Sequence, residues 1–112
     1  MSSGDALREF ALSLPEAQER ETWGSATFRV RDKIFVIMSD DGTGASVKAS
    51  KDEQKALIAE EPETFTYPAY VGQHGWIGVD VQRIGAEHLR ELVTEAWRMT
   101  APKRMVKAFD AG

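Results

Sequence analysis

Three short segments in the first half of the chain have the residue pattern of β-strands, and the links between them are of hairpin length. Residues 26–31 (ATFRVR) alternate, residues 33–38 (KIFVIM) are mainly apolar, and residues 45–49 (ASVKA) alternate again. Parallel neighbours need a crossover of about a dozen residues or more, which the links around Asp32 and at 39–44 cannot supply. These strands are therefore predicted to run antiparallel.

Segments with helical periodicity lie before and after these strands. Residues 5–14 place apolar side chains at i, i+3, i+4 and i+7, with Asp5 as the expected N-cap and Pro15 as the stop. Residues 51–60 follow a capping box made by Ser50 and Glu53. The strongest helical pattern lies in 86–100, and Pro102 ends it or starts a short continuation. Its apolar stripe consists of Ala86, Leu89, Leu92, Val93, Ala96 and Trp97.

The last strand is predicted in residues 75–81 (GWIGVDV), and the order of elements is helix, strands, helix, strands, helix. Helices and antiparallel strands in this order indicate the α+β class, with two layers in which helices pack on one face of an antiparallel sheet. The length favours one domain over residues 1–112.

Composition excludes several kinds of chemistry. The chain has no cysteine and only His74 and His88 as histidines, so thiolate chemistry, disulfides and a zinc or histidine-cluster site are not expected. No apolar run approaches the roughly 18 residues of a membrane span, and no secretion signal is recognisable, so we expect a cytoplasmic protein without a membrane partner. No cofactor or metal is expected.

The glycine-rich stretch 70–80 (YVGQHGWIGVD) resembles a phosphate-binding loop only superficially. Its glycines precede and enter a strand, whereas a phosphate loop leads into a helix N-terminus. We expect Gly72 and Gly75 to be turn residues, where glycine tolerates positive φ, and Gly78, inside the strand, to mark a close approach by another group. His74 forms no recognisable motif with a nucleophile, so the sequence indicates a protein that is not an enzyme.

Strand alternation points to a candidate binding surface. Ile77, Val79 and Val81 fall on one face, and Trp76, Gly78 and Asp80 fall on the other. If the aliphatic face meets the helices, Trp76 stands on the uncovered face, where nucleic acid or peptide could stack on it. The alternative is that Trp76 packs under a loop or the C-terminal segment. Three bases are predicted to share the uncovered face, namely Arg29, Arg31 and Lys48.

A second set of bases lies near the C-terminus. Phosphate contacts need only local positive charge, which this set could supply, although such clusters also complement the dipole at a helix C-terminus. The set consists of Arg98, Lys103, Arg104 and Lys107.

Several short motifs, in this order and spacing, resemble the MmcQ/YjbR family of small bacterial proteins, from about residue 5 to 109. They are Leu14-Pro15-Glu16-Ala17, Trp23-Gly24, Phe28 with Lys33-Ile34-Phe35, Lys48, Pro68, Tyr70, Trp76 and the closing segment 96–109. The resemblance implies a YjbR-like or CyaY-like two-layer α+β fold similar to the type III secretion chaperones. It also implies a DNA-binding role, without established catalytic residues.

Two functions therefore remain open. DNA binding follows from the resemblance and from the bases named above, and predicts an affinity that falls steeply with salt. A protein-binding adaptor or chaperone-like module follows from the fold, from the Trp76 face and from the formal net charge of −4, and predicts weak salt dependence with an apolar hot spot.

Overall fold

The computed structural model describes residues 2–112 and contains one six-stranded antiparallel sheet with helices on one side. The helices are α1 (Gly4–Ser13), α2 (Lys51–Glu60), α3 (Ala86–Thr100) and α4 (Lys103–Ala111). The strands are β1 (Ala17–Thr22), β2 (Ser25–Val30), β3 (Lys33–Met38), β4 (Gly44–Val47), β5 (Phe65–Thr66) and β6 (Ile77–Asp80), in the spatial order β1-β2-β3-β4-β6-β5. A short 3-10 turn covers Val71–His74. The predicted α+β class is confirmed.

The covered face of the sheet is a set of cross-strand rows of apolar side chains. Phe28, Val36, Val47 and Ile77 are paired in one such row, and all four are fully buried. α3 packs over the middle strands and contributes the buried Trp97, whose indole Nε1 donates to the carbonyl oxygen of Pro15. The core therefore lies between the sheet and the layer formed by α1 and α3.

The predicted helix at 51–60 has these same bounds in the structure, and the Ser50 hydroxyl accepts from the Glu53 N–H as expected of its cap. The N-cap expected of α1 is wrong: Ser3, not Asp5, caps the helix by accepting from the Ala6 N–H. The link around Asp32 is a two-residue hairpin turn in which Arg31 and Asp32 both have positive φ.

Two strands have no counterpart in the sequence pattern. β1 reads AQERET and is exposed over most of its length because it is the outermost strand, so no apolar alternation identifies it. Its charged side chains are a usual protection of a sheet edge against pairing with other chains. β5, at the opposite edge, has only two residues and is too short to show a period.

Among residues 2–112, none of the helices combines the length and the apolar character needed to cross a bilayer.

Candidate binding face on the uncovered side of the sheet

The uncovered face of the sheet presents polar and small side chains where the covered face presents the core. The central row across this face consists of Arg20, Thr27, Ile37, Ser46, Gly78 and Thr66, paired in that order. On β1, alternation sends Arg20 to this face and sends Glu19 to the other, where Glu19 meets Arg8 of α1. The alternation of side chains along β1 thus places the basic Arg20 on the uncovered face and the acidic Glu19 on the covered face.

Trp23 stands at one end of this face, in the turn between β1 and β2, and is 100% exposed. Trp23 and Gly24 have φ values of 51° and 83°, the arrangement of a two-residue hairpin turn that asparagine followed by glycine adopts most readily. A left-handed backbone costs a bulky residue about 1–2 kcal/mol. Exposure and strain both act against stability here, and such features cluster at functional sites.

A second exposed aromatic, Tyr70, combines 92% exposure with a positive φ of 63°. A groove of about 380 Å³ lies on the uncovered face, and residues close in sequence to the two aromatics line it. Ser25, which follows the Trp23-Gly24 turn, lines one part of it, and Ala69, which precedes Tyr70, lines another. All of the described residues that line this groove are uncharged. The floor includes Ile37, Ser46, Thr66 and Gly78.

Gly78 lies in that floor for a steric reason. A Cβ at this position would come within 2.5 Å of the Thr66 Oγ1 and 3.1 Å of the Thr66 carbonyl oxygen. The predicted close approach at Gly78 is thus made by the neighbouring strand β5. Gly75 is a turn residue with φ of 95°, as expected. Gly72 is also a turn residue: it lies in the 3-10 turn, where it is buried against the ring of Tyr67 without a positive φ.

Two of the predicted bases do lie on the uncovered face. The guanidinium of half-buried Arg29 donates to the hydroxyls of Thr22 and Thr27 and to the Asp32 carbonyl oxygen, so it is held in place without a carboxylate partner.

Lys48 continues the alternation of β4 onto the same face, is half-buried, and makes no ion pair within the described residues. Arg20 also lies there, paired with Asp32. Asp80, in the row of Gly44, adds an acid to this face.

Arg31 does not join them. It occupies the β2–β3 turn, and its guanidinium donates from Nε to Glu16 Oε1 at 2.8 Å and from Nη2 to Glu16 Oε2 at 3.2 Å. The hydrogen bonds from Arg31 hold the pKa of the Glu16 carboxyl below its ordinary value. This base is therefore committed to a partner within the chain.

The prediction that Trp76 is displayed on the uncovered face is wrong. Trp76 is only 9% exposed, so it is buried, as expected from the alternative of packing under a loop or the C-terminal segment. The side chain of Gln54 donates to the backbone carbonyl oxygens of Trp76 and Gly72, which ties this segment to α2. Alternation along a strand predicts the face of the sheet on which a side chain lies. Whether that side chain is exposed to solvent depends on whether another segment of the chain covers it.

The C-terminal bases belong to the helix layer. α4 packs against α3 through Phe109, whose ring lies 4.9 Å from that of Trp97. Arg98 pairs with Glu95 and Asp110, while Lys103, Arg104 and Lys107 are exposed. Arg29 and Lys48 lie on the uncovered sheet face, away from this helix layer. Arg31, the third base of that predicted set, instead lines a groove together with Arg104.

Neither histidine is built into a site. His74 is exposed, and His88 is half-buried with its ring against that of Phe65, at 5.4 Å between centroids. Within residues 2–112, no group of three or more histidine and acidic side chains is arranged to hold a metal ion.

The two exposed aromatics, Trp23 and Tyr70, were only markers of the family resemblance in the sequence. Trp23 and Tyr70 each lie in short motifs whose backbone conformation and exposure no period reveals. A tryptophan followed by glycine, at hairpin distance from a strand, was the one available signal for Trp23.

The fold and this face are those of a small α+β domain in which helices bury one face of the sheet and leave a groove on the other. The chain belongs to the YjbR family, whose model matches residues 12–99. The expected family is thus confirmed.

The relatives carry no established activity. Uncharacterized proteins of Mycobacterium tuberculosis (Rv2570) and Mycobacterium bovis (Mb2600) are each 43% identical over 79 residues, which cover 70% of this chain. The matched part is 53% of each relative, so the chain spans about half the length of these curated relatives. Among solved structures, Deinococcus radiodurans protein DR2400, with a DUF419 domain, is similar with a TM-score of 0.78 at 20% identity. The similarity covers 88% of this chain and 78% of that one, and it shows the shared fold.

Proposed function

We propose that this chain is a non-enzymatic domain that binds DNA, in single-stranded form, on the uncovered face of its sheet. The observation that carries the proposal is the presence of two exposed, conformationally strained aromatics next in sequence to residues that line the groove, together with bases on the uncovered face. The acidic net charge of the chain requires a local patch for any contact with phosphates, and this face is where such a patch is found.

Trp23 and Tyr70 are the proposed stacking residues. An aromatic ring can stack on a base of any sequence, with a contribution of about 1–3 kcal/mol per base. Stacking on a protein ring needs an unpaired base, because the bases of a duplex are already stacked on one another. A single strand is therefore the form of DNA that these rings suit.

Arg20, Arg29 and Lys48 are the proposed phosphate contacts. Arg29 is held by hydroxyl and carbonyl oxygens, so its orientation is fixed while its positive charge remains available to an anion. Lys48 makes no ion pair within the described chain. Arg20 would exchange its exposed partner Asp32 for a phosphate, and an exposed pair of this kind is worth little.

Fluorescence anisotropy with labelled single-stranded and double-stranded DNA tests the proposal, at low and at near-physiological salt. We expect tighter binding of the single strand, weakening with salt, and a Kd raised about 5- to 100-fold by Trp23→Ala or Tyr70→Ala. Lys48→Gln should weaken binding and lower its salt dependence. Met99→Ala and Lys103→Gln remove an exposed apolar side chain and a base from the helix layer, and should leave the affinity unchanged.

A protein-binding module is the second candidate, favoured by the uncharged lining of the groove on the uncovered face. Tryptophan and tyrosine are frequent hot spots of protein interfaces, and an uncharged groove suits a peptide segment better than a phosphate chain. Absence of any DNA binding at low salt, where electrostatic attraction is strongest, would reject the DNA proposal. Partner binding that is lost in Trp23→Ala and insensitive to salt would then establish the second candidate.

A further inference from the structure

A groove of about 630 Å³ lies in the helix layer, lined by residues of α1, α2 and α3. Phe10, Leu57 and Leu92 give it an apolar part. α2 buries only Gln54 completely, so Leu57 is left half-buried at the groove. This groove is separate from the uncovered sheet face.

Acidic side chains dominate the rim. Glu87, Glu91 and Glu95 recur every fourth residue along α3, which places them in one stripe, and Glu53 of α2 lies across from them. Within the described residues, Glu53, Glu87 and Glu91 have no ion-pair partner. The lining also holds Arg90 and Arg98, and Arg98 is already paired with Glu95 and Asp110. We call this the acidic groove.

α4 carries the opposite charge on a stripe of its own. Lys103 and Lys107 are four residues apart, and Asp110 follows three residues later, so all three share one face of the helix. Both lysines are exposed and make no ion pair with any described residue. Because Asp110 pairs with Arg98, which lines the acidic groove, the two stripes meet at this ion pair.

We propose that a second copy of this chain occupies the acidic groove with the basic stripe of its α4. The acidic and the basic stripe meet at one point. A two-fold axis through that point would place the acidic stripe of each copy against the basic stripe of the other. Each copy then places Lys103 and Lys107 against Glu87 and Glu91 of the other, as in an isologous dimer. The occupant is a second copy because the complementary charges are carried by this chain itself.

The interface depends on charges that are exposed in the monomer, so the dimer is weak and salt-sensitive. Sedimentation velocity from micromolar to millimolar protein, at low and high salt, measures its Kd. We expect Lys103→Glu with Lys107→Glu to raise the Kd by about tenfold or more, and Glu87→Lys with Glu91→Lys to do the same. These side chains are on the surface, so both variants should fold, as circular dichroism will show.

The decisive sample is an equimolar mixture of the two charge-reversed variants, in which a heterodimer should form because the signs match again. Lys51→Glu with Lys55→Glu is the matched control, since these exposed lysines are also four apart but lie on the side of α2 opposite Glu53. That control should dimerise like the original chain. A chain that stays monomeric at low salt, or a mixture that associates no better than either variant alone, overturns the proposal.

Discussion

The buried side chain of Gln54 donates from its Nε2 to the backbone carbonyl oxygen of Trp76 and to that of Gly72. Gln54 is the one buried residue of α2, and its two hydrogen bonds attach the helix to the segment that leads into β6, while Leu57 and Ile58 pack against the core. The same segment contains the left-handed Gly75 and ends beside the buried Trp76.

Replacement of Gln54 with methionine keeps the side-chain length and removes both donated bonds. The Gly72 carbonyl still accepts from the Gly75 N–H, so the Trp76 carbonyl is the group left without a partner. We expect a loss of about 1–3 kcal/mol in the free energy of unfolding, measured in urea. Lys55→Met, at an exposed position of the same helix, is the control, and an equal effect of both changes would disprove this role of Gln54.

Trp23→Asn should raise stability while it weakens ligand binding. Asparagine adopts the left-handed backbone of this turn more readily than tryptophan, so we expect a gain of about 0.5–1 kcal/mol in the free energy of unfolding. Trp23→Val should instead be destabilising, because a β-branched residue tolerates positive φ poorly. Thermal unfolding of the three proteins gives the order, and a loss of stability in Trp23→Asn would mean that Trp23 makes contacts needed for the fold.

Gly78→Ala tests the close approach of β5 to β6. The added methyl would meet the Thr66 Oγ1 at 2.5 Å, so we expect a destabilisation of about 1–3 kcal/mol from overpacking. Adding Thr66→Ala removes Oγ1 but leaves the Thr66 carbonyl oxygen at 3.1 Å, so the double variant should recover part of the loss. Chemical denaturation of the full double-mutant cycle measures this coupling. Strict additivity of the two changes would contradict the steric explanation.

Asp41 should make stability depend on pH in the acid range. Its carboxylate accepts from the Thr43 N–H, the Thr43 hydroxyl and the Ser39 hydroxyl, and these bonds hold the pKa of Asp41 below its ordinary value. Because the folded pKa is the lower one, the ionised form stabilises the fold above the unfolded pKa, and this contribution is lost as the pH falls through the folded pKa.

Asp41→Asn should therefore be less stable than the original chain at neutral pH, and the difference should shrink as the pH falls below about 4. Thermal melts across this range measure it. Asp40→Asn, at the exposed neighbouring position, is the control. A difference between Asp41→Asn and the original chain that stays constant down to the lowest pH would show that the charge of Asp41 is not involved.

The periodicity of apolar residues was sufficient to predict helices and strands that bury one side. The 3.6-residue period identified α3, and the capping residue Ser50 fixed the start of α2. The period of two placed Thr27, Arg29 and Ser46 on the uncovered face, where their register puts them. The same criterion could not find β1, because an edge strand with most side chains in solvent has no buried side to impose a pattern.

The amino-acid pattern was enough to predict the α+β class, the antiparallel hairpins and the sheet face of Thr27, Arg29 and Ser46. These follow from local backbone geometry and from hydrophobic burial along single elements.

The burial of Trp76 and the full exposure of Trp23 became visible in the folded structure alone. The tertiary structure likewise committed Arg31 to Glu16 and left Arg29 without a carboxylate partner. Solvent exposure and ion pairing depend on contacts between segments that are distant in sequence. A local periodicity in the sequence carries no information about these contacts.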